Sequence, residues 1–136
     1  MGLINFISNA GKKLFGGDEE PSAEALVTEV EDLGLKLKGA EISVEGDKVV
    51  LSGGDLSAEE REKLIVAVGN VEGISSVEAD AGDDLFHTVE KGDTLSAVAK
   101  KALGDANRYP EIFEANKPML THPDKIYPGQ VLRIPR

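Results

Sequence analysis

The chain has 136 residues, 40% of them hydrophobic but only 4% aromatic, with neither Cys nor Trp. That length holds one ordinary domain or two small ones, and the lack of Cys excludes disulfides, thiolate nucleophiles and Cys-based zinc sites. The net charge of −10 is uneven, with +2 over residues 1–17, −14 over 18–84 and +2 over 85–136, so the middle of the chain repels phosphate and no nucleic-acid partner is expected.

Residues 1–17 form the first unit. Leu3, Phe6, Ile7, Ala10 and Leu14 recur at helical spacing, which predicts a short amphipathic helix packed on the domain that follows. The Lys12-Lys13 pair comes after the apolar run, and no unbroken apolar core with a small-residue cleavage site is present. The segment therefore does not read as a secretory leader. Phe6 also stands where a myristoylation signal needs Ser or Thr. No stretch reaches the 18 or so apolar residues of a membrane span, and two lysines are weak support for a surface-lying helix. Cytoplasmic residence without stable membrane insertion is the expectation.

After the break at Gly16–Pro21 comes a second unit, residues 18–78. Ser22 reads as the N-cap of a helix whose Leu26, Val30 and Leu33 share a face, with Gly34 as its stop. Glu41–Glu45 and Lys48–Ser52 form a hairpin around Gly46-Asp47. Ser57-Ala58-Glu59-Glu60 is a capping box opening a helix with Leu64, Ile65 and Val68 inward and Gly69 at its end. A turn and a third short strand follow over Val71–Val77. The order helix, strand, strand, helix, strand predicts an α+β sandwich with the helices on one sheet face.

Residues 79–84 lack apolar periodicity and read as a linker. Residues 85–136 then give a compact βααβ unit. Phe86–Val89 is a strand and Lys91-Gly92-Asp93 a turn. Thr94 caps a helix striped by Leu95, Val98, Ala99 and Ala102 and ended by Gly104. A second helix follows over Pro110–Asn116, and Pro128-Gly129 turns into the closing strand Val131–Ile134.

The residues from Phe86 to Pro135 resemble the LysM family. The matching features are His87-Thr88-Val89, Lys91-Gly92-Asp93-Thr94-Leu95, Ile112, Ala115-Asn116, and Ile126-Tyr127-Pro128-Gly129-Gln130 leading to Leu132–Pro135. More weakly, Val49–Gly53 and Gly73–Val77 resemble a BON domain. With the Met1–Phe6 start and the runs Leu64–Asn70 and Ile112–Leu120, the whole chain is similar to the small BON–LysM potassium-binding proteins of the bacterial cytoplasm. That resemblance implies selective K⁺ binding and an ion-dependent change of shape; binding that stabilises the fold would make the protein a sensor rather than a store, and a scaffold or osmotic-stress partner is a third reading. LysM domains elsewhere bind N-acetylglucosamine glycans such as peptidoglycan, so an envelope adaptor is the alternative.

Catalysis is not expected. His87 and His122 are the only histidines, one on a strand and one in a loop, and no nucleophile elbow is present. A divalent site would want an oxygen-rich calcium loop, which is absent. K⁺ makes a different demand, a cage of neutral carbonyl dipoles, which carries no side-chain signature. Helix C-termini offer unshared carbonyls at the negative end of the dipole. Gly69-Asn70-Val71-Glu72-Gly73-Ile74 is such an exit, bracketed by glycines that let the backbone curl. Main-chain oxygens of Ile7, Ala10, Gly69, Val71, Gly73 and Ile74 are therefore the candidate K⁺ ligands, in a monomer. The glycan alternative would use Gly92, Asp93, Thr94, Asn116 and Tyr127.

Overall fold

The computed structural model describes residues 2–7, 22–80 and 86–135. Its first module is α+β, as expected. Strand β1 (Gly2–Asn5) leads to helix α1 (Ala23–Asp32), the hairpin β2 (Ala40–Glu45) and β3 (Lys48–Gly53), helix α2 (Ala58–Gly69) and strand β4 (Ser76–Ala79). The strands form one sheet in the order β1-β4-β3-β2, with β3 and β4 parallel and the other pairs antiparallel. Both helices contact the sheet, α1 through β2 and α2 through β3 and β4.

Side-chain alternation sets the register. Ile4, Val77, Val49 and Val44 lie in one row across the four strands, while Leu3, Glu78, Val50 and Ser43 form the neighbouring row that points the other way. Ile4, Val49, Leu51 and Val77 join Leu26, Val30, Leu64, Ile65 and Val68 from the helices in one buried cluster. Each such side chain contributes about 1.5–3 kcal/mol when fully buried.

The helix starts follow the local rules. Ser22 Oγ accepts from Ala25 N at 3.3 Å. At α2 the capping box is complete, with Ser57 Oγ accepting from Glu60 N at 3.1 Å and Glu60 Oε1 accepting from Ser57 N at 3.0 Å.

Two expectations are corrected. Residues Gly2–Asn5 are a strand and not the start of a helix. Leu3, Phe6 and Ile7 fit either period, but Ile4 and Phe6 are buried while Leu3 and Ile7 are 47% and 48% exposed, which is period two. The edge of β4 takes the segment as a partner, and that edge lies some seventy residues away in sequence, where a local pattern has no view of it. The remainder of the predicted helix lies outside the described residues. The linker also begins later than expected, because Ala79 is a fully buried residue of β4.

The second module is the expected βααβ unit. Strand β5 (Phe86–Thr88) pairs antiparallel with β6 (Val131–Arg133), and between them lie α3 (Leu95–Leu103), a short 3₁₀ turn (Ala106–Arg108) and α4 (Tyr109–Ala115). Thr94 caps α3 by accepting from Ala97 N at 3.1 Å, and Gly104 closes it in the left-handed region. Leu95, Val98, Ala99, Ile112, Leu120 and Leu132 are among the residues of a second buried cluster. Ala102, placed on the apolar stripe by its spacing, is exposed.

The modules are in contact through α2 and β6. Val131 of β6 is 1% exposed and belongs to the first module's cluster, with Phe86 packed against the same cluster. Across the seam Arg133 Nε donates to Glu62 Oε1 at 2.8 Å, the carboxylate buried and the guanidinium partly so.

Candidate functional site

The candidate site lies at the exit of α2. Leu64 through Gly69 are all buried, and the last turn has no Lys or Arg to offset the negative end of the helix. Asn70 is the C-cap, its N–H donating to Val66 O at 3.1 Å. The chain then folds into a tight turn in which Ile74 N donates to Val71 O at 3.1 Å, with Gly73 at φ 100°. Only glycine takes that angle without strain. The side chains of Val71 and Ile74 are buried in the first cluster, so what these residues can present to a ligand is main-chain oxygen. A carbonyl has two lone pairs, and the bond to Ile74 N takes one of those on Val71 O.

Strand β1 delivers the first segment to this turn. Phe6 N donates to Ser75 O at 2.9 Å, and Ser75 N donates to Asp47 O at 2.8 Å. The Phe6 ring is seated on Gly69, where an added Cβ would fall 2.1 Å from the ring. Gly69 is thus required by close approach of an aromatic side chain. Ile7 is next in the chain and 48% exposed. Of the predicted cation ligands, Gly69, Val71, Gly73 and Ile74 lie on the one stretch of chain that leaves α2, Ile7 follows Phe6, and Ala10 lies outside the described residues. Among the described residues no group of three or more His, Asp or Glu could hold a metal.

Two residues that matter here were not among the predicted ones. Phe6 was assigned to a helix face. Asn70 was seen only as part of a turn, yet its Nδ2 donates to Val131 O at 2.7 Å and its Oδ1 accepts from Val131 N at 2.9 Å. An Asn directly after a helix-terminal Gly signals a cap, but nothing local points to a partner 61 positions away.

The residues of the glycan alternative are differently placed. Gly92 shapes the turn after β5. The Asp93 carboxylate accepts from Glu90 N at 3.0 Å, Lys101 Nζ at 3.1 Å and His87 Nε2 at 3.4 Å. These partners, Glu90 first, hold its pKa down at about 2. Thr94 Oγ1 is spent on its helix cap. Asn116 is 0% exposed and bonded to Ile112 O, Arg133 O and Arg133 N. Tyr127, whose pKa burial raises, lines a cavity of about 270 Å³ with Glu29, Val66 and Asn70 of the first module. Sugar recognition at these positions would have to use backbone groups, because the polar side chains other than Tyr127 are committed to the fold. A larger groove of about 830 Å³ lies beside Glu62 and Arg133, away from the turn.

Fold and site together define a two-module α+β protein whose second module is a LysM domain, the LysM family pattern matching residues 87–135. Over the full length, the chain is 45% identical to the potassium binding protein Kbp of Escherichia coli O6:H1, across 99% of both chains. The chain belongs to that protein's family. It is also 40% identical over 85 residues to an uncharacterized protein of Deinococcus radiodurans, covering 62% of this chain and 30% of that one.

Proposed function

We propose that this chain binds K⁺ selectively, through main-chain oxygens of Ile7, Ala10, Gly69, Val71, Gly73 and Ile74. In this reading the first module, a BON domain, supplies the site and the LysM module packs against it. The protein is a non-catalytic, monomeric cytoplasmic sensor that tightens on binding. The observation that supports the reading is the seating of Phe6 on Gly69 with its amide on Ser75 O, which ties the first segment to the glycine-bracketed helix exit. Full-length identity of 45% to a protein named for potassium binding supports it.

A ligand that binds the folded state alone stabilises it by about 2.7 kcal/mol at a hundredfold excess over its dissociation constant. For a chain of this size that is roughly 5–15 °C in melting temperature. Melting in KCl should therefore exceed melting in NaCl or LiCl of the same ionic strength by several degrees. Equal shifts in all three salts would indicate general screening of the −14 segment and would remove the reading. The envelope-adaptor alternative rests on the LysM match and predicts retention on peptidoglycan.

A further inference from the structure

Asn70 stands between two of the proposed ligands, Gly69 and Val71, and its own side chain is held from outside the module. The amide pairs with both the N–H and the C=O of Val131, at 2.9 and 2.7 Å, as a neighbouring strand would. Its backbone N–H is tied to Val66 O. Val131 is fixed in turn, paired in register with Thr88 and buried in the cluster that contains Val71 and Ile74. The next residue but one, Arg133, is clamped by Asn116. The peptide units on either side of residue 70 therefore cannot shift inward without breaking the pairing to β6.

A ring of neutral oxygens prefers K⁺ to the smaller, more strongly hydrated Na⁺ when its walls are prevented from closing on the smaller ion. We infer that Asn70 is the specificity-determining positioning residue of the cation site, using the LysM strand β6 as a fixed strut that keeps the Gly69–Ile74 turn open. The LysM module then contributes rigidity and no ligand. This rests on the proposed K⁺ reading and adds where the discrimination comes from. Other groups facing the turn, Phe6 on Gly69 and Asp47 O on Ser75 N, hold it from within the first module and leave residue 70 to the strut.

The test uses the full chain and compares K⁺ with Na⁺ affinity for the wild type, Asn70→Ala and Glu62→Gln. Glu62→Gln weakens the other bond across the same seam, to Arg133, without touching the turn. Asn70→Ala should lower the K⁺/Na⁺ affinity ratio at least about fivefold, the low end of coupling between linked sites. The Val131 amide should exchange faster with solvent, and Glu62→Gln should leave the ratio as it was. Asn70→Asp, which keeps the acceptor for Val131 N and loses the donor to Val131 O, should also lower the ratio and serves if the Ala variant does not fold. An unchanged ratio in Asn70→Ala or Asn70→Asp with K⁺ binding retained would overturn the inference. So would an equal fall in Glu62→Gln, which would assign the effect to docking in general. A wild type with no preference for K⁺ would instead overturn the underlying reading, and this one with it.

Discussion

Two asparagines clasp the same strand from opposite modules. Asn116 pairs with the N–H and C=O of Arg133 from inside the LysM unit, and Asn70 pairs with the N–H and C=O of Val131 from the first module. Between them they satisfy an edge that would otherwise present unpaired backbone groups to solvent or to another chain. The chemistry is identical, but the consequences differ. Asn116 is wholly buried and completes a fold, whereas Asn70 is half-buried and joins a fold to a candidate site. A side-chain amide used as a surrogate strand can therefore be either structural or communicative, depending on what its own backbone is attached to.

The largest expected effect separates the two. Asn116→Ala removes a fully buried amide and leaves Ile112 O and both Arg133 backbone groups without it, and should cost about 3 kcal/mol, measured by urea unfolding of the intact chain. The loss should register in LysM amides, with the K⁺-dependent shift reduced only as far as β6 is lost. Next comes Gly69→Ala, which drives a Cβ into the Phe6 ring and should cost about 2 kcal/mol through overpacking while abolishing the K⁺ response. In a Phe6→Ala background the same change should cost almost nothing, since contacting residues are not additive. Full additivity would show that the ring and the glycine do not meet. Asn70→Ala should be milder for stability, about 1 kcal/mol, because Asn70 is only half-buried and lines a cavity through which water can take the place of its amide. Equal costs for Asn70→Ala and Asn116→Ala would erase the distinction drawn between them.

The smallest expected effects concern acid. Glu60 is held at about 2 by Lys38 first and Ser57 next, down from 4.5, and Asp93 at about 2, down from 3.8. A depressed carboxyl pKa contributes stability that is complete above the unfolded value and fades as pH falls towards the folded one. Stability should thus decline from about pH 4.5 towards pH 2. Glu60→Gln should flatten that decline in amides of the first module and Asp93→Asn in those of the LysM unit. A decline unaltered by both substitutions would place its origin elsewhere.

The second module was legible because its features are side-chain rules acting at short range. Thr94 before an apolar stripe, Gly104 after it and Pro128-Gly129 before a closing strand each specify one local geometry, and each is found. Ser22 and Ser57 behave the same way in the first module. The candidate site was legible in part, because a glycine-bracketed helix exit is visible as Gly69 to Gly73. What escaped reading depends on contacts distant in sequence. Gly2–Asn5 becomes a strand only because β4 offers an edge, and Asn70 gains its meaning from Val131. A cage of main-chain oxygens adds a further difficulty, since any residue type supplies the ligand and no motif marks it.

The most direct test of the cation site is anomalous diffraction from crystals grown in KCl and exchanged into RbCl, rubidium standing in for potassium. The account predicts a single strong peak enclosed by main-chain oxygens of Ile7, Ala10, Gly69, Val71, Gly73 and Ile74. A turn with those oxygens facing away and no peak among them, or peaks found only beside surface carboxylates, would contradict it.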